Sequence, residues 1–493
     1  MIKRFNQILF WLTALLVLAG CGGSDNGNSG NADANAKYAQ SDSITQYKTS
    51  SKLLNTLYKG VDPTRFFENG GRISLASASE EYSLQTIRET LNVSLDSREL
   101  VFYGIDSFYY FDTAAKPLQY PLTTLYEMPL SRDYLNFWMA YMLANTILFS
   151  PAVELDSVDA FDAQRVYHRL VTMLDEEKSI SEIVYEHMIS QENWRRFRSP
   201  EDNTREMMEI FLGRFIDEEV PKAAKACQNW YLSDDSQDYQ LIKTFAVNET
   251  PQALLETELT TCEEFYARVA THPSLMPRII GILVDYFYDG KSDTEKASIT
   301  ASLAAKGYTQ FRPLFLDILF SDTYLFDTER PKKYEELFLG TGHTIQWQAD
   351  YNFFRYLNRD LTSYSSIETL LNMNQGSMRY KLGRSNTVPL DSLSFAYVHN
   401  SVRNRLFLDR KTNEFEAYDG GWQAGYIDIV LDEDTDLIDY VFVSLLGREA
   451  TEDEKTMLAE VFASEQYAET SPMRQTMIIM DYISRLTELY YFR

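Results

Sequence analysis

Apolar residues recur every three or four positions along most of the chain from residue 46 onward, the spacing of helices with one buried stripe. Residues 134–149, with Trp138, Met139 and Met142, are instead apolar nearly all round, which predicts a central, enclosed helix. Amphipathic helices are predicted over 159–174, 181–190, 200–215, 218–231, 252–269, 273–288, 294–305 and 311–320. Three more follow at 437–446, 452–463 and 473–491. Residues 99–111 are β-branched and aromatic, and 404–430 hold short extended runs around Asp419-Gly420-Gly421, so both predict a small β accessory. No fixed-period repeat marks a solenoid. The expected architecture is mainly α: a large multi-helix globular protein with that small β accessory. A helical domain is expected over 46–340. A C-terminal region of short β elements and terminal helices follows over 341–493, beginning where Gly340 and Gly342 lead into a polar, tyrosine-rich stretch.

The first twenty residues stand apart. A basic start, an apolar run from Ile8 to Leu18 and small residues before a cysteine make an export signal. As a helix that run would reach about 16 Å, roughly half a bilayer's hydrocarbon core, too short for a durable span. Leu18-Ala19-Gly20-Cys21 resembles the bacterial lipobox, which implies cleavage before Cys21 and acylation of its thiol and new amino terminus. Gly22 stands where an aspartate would signal inner-membrane retention, so the expected address is the outer membrane, on its periplasmic or cell-surface side. Several acyl chains anchor stably where one does not. Residues 21–45 are small and polar and read as a flexible tether. Cys227 and Cys262 remain, and in an oxidising compartment they either pair or stay as two separate buried thiols.

Composition narrows the function classes. With 45% hydrophobic and 14% aromatic residues over 493 positions, the chain folds around a sizeable core despite a formal charge of −26. That charge disfavours nucleic acid or an anionic membrane face as the main partner. Asp289-Gly290-Lys291-Ser292 ends like a phosphate-binding loop, but Asp285 stands where the first glycine belongs and would repel phosphate. Asp432, Asp434 and Asp436 begin like a calcium loop, yet Leu437 and Val443 occupy its glycine and bidentate-glutamate positions, leaving an acidic turn before a helix. The histidines at 168, 187, 272, 343 and 399 are scattered singly. No metal site or cofactor is expected.

Residues 200–231 carry the most information. On a helix, Arg205, Glu206 and Glu209 share one arc while Met207, Met208, Phe211 and Phe215 share another. Two carboxylates at i and i+3 beside a guanidinium can serve as an acid/base pair, or form a solvated face with an Arg205–Glu209 ion pair. The run Asn203-Thr204-Arg205-Glu206-Met207-Met208-Glu209-Ile210-Phe211-Leu212-Gly213, then Asp217-Glu218-Glu219-Val220, Ala223-Ala224-Lys225-Ala226 and Trp230, resembles the central signature of an exported bacterial family called domain of unknown function 1800. His272-Pro273 and the following helix look like that family's H-P helix, and Ser321 to Phe326 its S-x-x-F element. The resemblance spans about 130–340 and departs at Thr204, where alanine is usual, and by one missing residue before Gly213. Leu445-Leu446-Gly447-Arg448-Glu449-Ala450-Thr451 resembles an L-G-R-x-P-T element of exported helical proteins of planctomycetes, with Ala450 in the proline position. Physically it is a helix end at Gly447 and a new start capped by Thr451 and Glu454.

The resemblance implies an exported, mostly helical protein often encoded beside another exported protein, with no known catalytic residues. Three functions follow as expectations. The first is an outer-membrane-anchored helical lipoprotein that binds or helps assemble a co-exported partner. The second is a glycan- or polymer-binding lipoprotein, suggested by 33 tyrosines. The third is a carboxylate-based hydrolase using Glu206 and Glu209; no catalytic motif is present and the chain leans away from being an enzyme. Candidate binding residues are Arg205, Trp230 and His272.

Overall fold

The computed structural model describes residues 43–60, 67–68, 72–73, 82–96, 124–148, 162–233, 239–244, 250–333, 336–344, 347–348, 426–427, 436–464 and 472–492. The export signal, Cys21, most of the tether, residues 99–111 and all of 404–430 except the strand at 426–427 lie outside them. Among the described residues there are 17 α-helices and only five two-stranded antiparallel strand pairs, two of them β1 (Phe67–Glu68) with β2 (Arg72–Ile73) and β8 (Trp347–Gln348) with β9 (Tyr426–Ile427), so the protein is mainly α. No helix among the described residues is long and apolar enough to cross a membrane.

The interior is organised around one helix. Helices α1 (Ser43–Thr56) and α2 (Leu84–Thr90) precede α3 (Arg132–Thr146), whose residues 134–144 are all buried, as an apolar circumference demands. Ser131 starts α3 by accepting a hydrogen bond from Tyr134 N at 3.0 Å. Trp138, fully buried, donates from Nε1 to Thr56 O at 3.0 Å and packs against Phe287 and Phe315 at ring separations of 6.2 and 5.5 Å. After α3 come α4 (Asp162–Asp175), which packs against it, α5 (Ile180–Met188), α6 (Gln191–Arg196), α7 (Pro200–Leu212) and α8 (Val220–Ala226).

Two predicted helices are shorter than their patterns. The helix expected over 218–231 ends at Ala226, and Trp230–Leu232 (β3) pairs with Leu241–Lys243 (β4). Residues 252–259 form a hairpin of Gln252–Leu254 (β5) and Thr257–Leu259 (β6), and only then does α9 (Cys262–Ala270) begin, behind a Thr261/Glu264 capping box. The chain continues through α10 (Leu275–Phe287), α11 (Asp293–Ala304), α12 (Phe311–Leu319) and α13 (Asp322–Leu325).

The end of the chain returns to its first helix. Helices α15 (Leu437–Leu446), α16 (Glu452–Ala463) and α17 (Pro472–Ile483) follow the short α14 (Thr341–Thr344). Gly447, at φ 65°, closes α15 in the left-handed conformation, and Thr451 with Glu454 caps α16, as the L-G-R-like run predicts. The helix expected to reach 491 stops at Ile483. Tyr491–Phe492 (β10) instead pairs with Arg330–Pro331 (β7). Tyr47 OH of α1 donates to Ser444 O at 2.6 Å, and one continuous apolar cluster includes both Tyr47 and Tyr490.

Candidate functional site

Helix α7 carries the signature run. Ser199 caps it, Pro200 occupies its first turn, and Gly213 at φ 66° ends it where a side chain would be strained. Its inner face buries Asn203, Thr204, Met207, Met208 and Phe211. Asn203 Oδ1 accepts a hydrogen bond from Tyr266 OH of α9 at 2.7 Å, both residues being fully buried. Arg205, Glu206 and Glu209 lie on the partly exposed side. The Arg205 guanidinium reaches back to Glu201 at 3.8 Å, one turn before it, rather than forward to Glu209 as the spacing also allowed. Partial burial pushes the Glu209 carboxyl up; Arg205 pulls it down, and Asp217 and Asp202 add to the rise.

Trp230 is placed away from that face. It is 1% exposed and lies between Trp194 and Tyr266, at ring separations of 5.9 and 5.8 Å. The Lys243 ammonium, its partner across the β3–β4 pair, sits 4.6 Å from the indole centre. No open aromatic face remains there for a ligand to stack on. Trp230 is a brick of the interior.

His272 lies at a different junction. Its Nδ1 accepts from Ser274 N at 3.1 Å, which puts the ring proton on Nε2, and Nε2 lies 3.0 Å from Glu256 Oε2. Glu256 also receives Arg214 at 2.9 Å, from just beyond the end of α7, and Arg268 at 3.2 Å, from α9. Hydrogen bonds from His272 and Arg214 hold the Glu256 carboxyl below the usual range. The turn that presents this carboxylate is strained: Leu255 and Glu256, between β5 and β6, stand at φ 53° and 58°. A two-residue hairpin turn of this kind ordinarily uses Asn-Gly or Asp-Gly. Here the left-handed backbone is held from outside, by burial of Leu255 to 1% exposure, by Arg268 Nε donating to Leu255 O at 2.8 Å, and by the three side chains, Arg214, Arg268 and His272, that donate to Glu256.

A disulfide joins Cys227, at the end of α8, to Cys262, at the start of α9, and closes a loop of 35 residues around both hairpins. The structure thus brings His272 to the end of the signature helix while leaving Trp230 and the Arg205/Glu206/Glu209 arc elsewhere. Sequence reasoning missed Arg214, Glu256 and Arg268, because Leu255-Glu256 carries no turn signature and the three residues are far apart in the chain. Among the described residues, no group of three or more His, Cys, Asp or Glu side chains is arranged to hold a metal ion. The clamp is a cluster of hydrogen-bonded and ionic contacts on one carboxylate, placed to fix the loop after α7. That loop exposes Phe215 to 64% and Ile216 to 38%. No family model, curated protein or solved structure matches the chain.

Proposed function

We propose that the protein is an exported helical lipoprotein, tethered to the outer membrane through Cys21, which binds or helps assemble a partner exported with it, and that it is a divergent relative of the family called domain of unknown function 1800. The observation that carries the docking part is the Phe215-Ile216 pair. Most large apolar side chains among the described residues are spent on the interior, whereas these two neighbours project from a loop locked by the Glu256 clamp. A rigid apolar pair costs little ordering on association, which is how an anchor residue contributes to an interface. Glu206 and Glu209 lie on the partly exposed side of α7, and Glu209 has Arg205, Asp217 and Asp202 as its charged neighbours, a surface that carries no sign of a nucleophile–base arrangement among the described residues.

The test is recovery of the tagged full chain from native envelopes, for the parent, for Phe215→Asp with Ile216→Asp, and for Cys21→Ser. The expected result is one envelope protein recovered with the parent and lost with the double variant, at unchanged membrane attachment. Cys21→Ser should release the chain or leave it unprocessed. Equal recovery with parent and double variant would refute the docking surface, and unaltered attachment and processing of Cys21→Ser would refute the anchor.

A further inference from the structure

A second feature is remote from the α7 loop. Where α2, the start of α3 and the start of α12 meet, a surface concavity of about 380 Å³ is lined by Arg88, Arg132 and Arg312, with Glu177, Gln310 and Asp317 among its other walls. Three guanidiniums converging in a chain of net charge −26 call for a local cause.

Internal pairing accounts for only part of their hydrogen-bonding capacity. Arg312 is largely spent: it donates to Leu91 O and, at 3.3 Å, to Asn136 Oδ1. Arg132 gives Nη2 to Glu177 at 2.9 Å, while its buried Nε has no acceptor among the described residues. Arg88 stands over the Phe320 ring at 5.4 Å, and no acceptor for its guanidinium is found among the described residues. The nearby carboxylate of Asp317 is already engaged, by Lys306 Nζ at 2.8 Å and by Tyr308 OH. Burial, then the charge of Arg132, lowers the affinity of Arg312 for its proton, and the carboxylates of Glu177, Asp133 and Asp175 act against that fall.

The backbone adds charge of the same sign. Helix α12 begins at this wall, with Gln310, Arg312 and Pro313 lining the concavity, and Gln310 makes no side-chain cap. The positive pole of α12 therefore lies at this wall, with the amides of Phe311 and Arg312 ahead of Pro313, which has none. Planar guanidiniums with paired N–H groups match the two oxygens of a carboxylate or phosphate, and the aromatic face of Phe320 holds one of them in place.

We propose that this concavity binds an oxyanion, a carboxylate or phosphate carried by a ligand of about monosaccharide size, gripped by Arg88 and Arg132 and backed by Arg312. The site is separate from the docking loop, and neither depends on the other.

Calorimetric titration of the purified full chain tests it, with glucuronate, inorganic phosphate and, as the neutral control, glucose. Saturable binding of glucuronate or phosphate at low ionic strength, weakened by added salt and absent for glucose, is expected. Glucuronate alone would assign the oxyanion to a sugar acid; phosphate alone would assign it to a phosphoryl group. Arg88→Gln, which removes no side-chain hydrogen bond found among the described residues, should weaken binding about tenfold or more while melting like the parent. Arg88→Lys, which keeps the charge but not the paired donors, serves the same purpose if the glutamine variant misfolds, with a smaller loss expected. The proposal is overturned if the parent binds neither anion, if glucose binds as tightly, or if the folded Arg88 variants bind like the parent.

Discussion

Asn203 and Arg205 sit two positions apart on α7 and obey different energetics. The Asn203–Tyr266 bond is wholly enclosed, so deleting the phenolic hydroxyl leaves the amide oxygen of Asn203 without its donor and without water to replace it. Tyr266→Phe should lower unfolding free energy by about 1–3 kcal/mol, read from urea denaturation at constant slope. The ion pair of Arg205 with Glu201 is exposed on both sides, at 40% and 65%. Arg205→Ala should therefore lower unfolding free energy by no more than about 0.5 kcal/mol. An Arg205→Ala variant as damaged as Tyr266→Phe would mean that the outer face of α7 is enclosed by something other than solvent. At this scale the signature run is a packed scaffold on one side and a partly exposed polar surface on the other.

The elements divide by how loudly their sequences speak. Helix α3 was legible because apolar residues surround it, and α16 because Thr451 and Glu454 form a box whose start the structure reproduces at Glu452. Strands of three residues have no period to detect, so β3, β5 and β6 were absorbed into helical patterns and β4 fell unassigned between them. Their hairpin turn at Leu255-Glu256 has no glycine because its strain is offset by Arg268, Arg214 and His272, partners that no local rule reveals. The same lack of local signal hid the return of β10 to β7. Of these small elements, the hairpins β3–β4 and β5–β6 lie inside the loop that the Cys227–Cys262 bridge closes. In the chain-entropy account, reducing a bridge that closes 35 residues removes about 3–4 kcal/mol. Thiol counting on the unfolded, unreduced protein should give none from this pair. Hydrogen exchange after reduction should rise first in residues 230–259, ahead of α3. Uniform loss of protection would indicate that the hairpins are not a separately tethered unit.

The whole molecule is drawn together at one buried charge cluster. Arg330 and Glu336, both fully buried, form a two-pronged ion pair at 2.8 and 2.6 Å; Arg330 also donates to Tyr324 OH at 2.8 Å and stacks over Phe492 of β10 at 4.8 Å. Tyr324 OH in turn shares a hydrogen bond with Thr56 of α1, so the first helix, the middle and the end of the chain meet there. Glu336→Gln should cost about 3–5 kcal/mol because it strands the Arg330 charge, and replacing both partners by apolar residues should recover much of that loss. Lysines around the cluster set its response to pH. Burial, then repulsion from Arg330, lowers Lys52 to about 7, and burial chiefly lowers Lys332 and Lys333 to about 8, against about 10.5 in the unfolded chain. Between those limits the unfolded state holds more protons than the folded state, so this group of residues makes stability rise with pH from about 7 toward 9. Lys52 donates to Tyr324 O and Thr328 O, contacts that a neutral amine keeps. Lys52→Met should therefore flatten the rise by up to one proton's worth, about 1.4 kcal/mol per pH unit, in denaturation curves at successive pH values. A slope identical in parent and variant would place the Lys52 ammonium in water rather than in the knot that closes the fold.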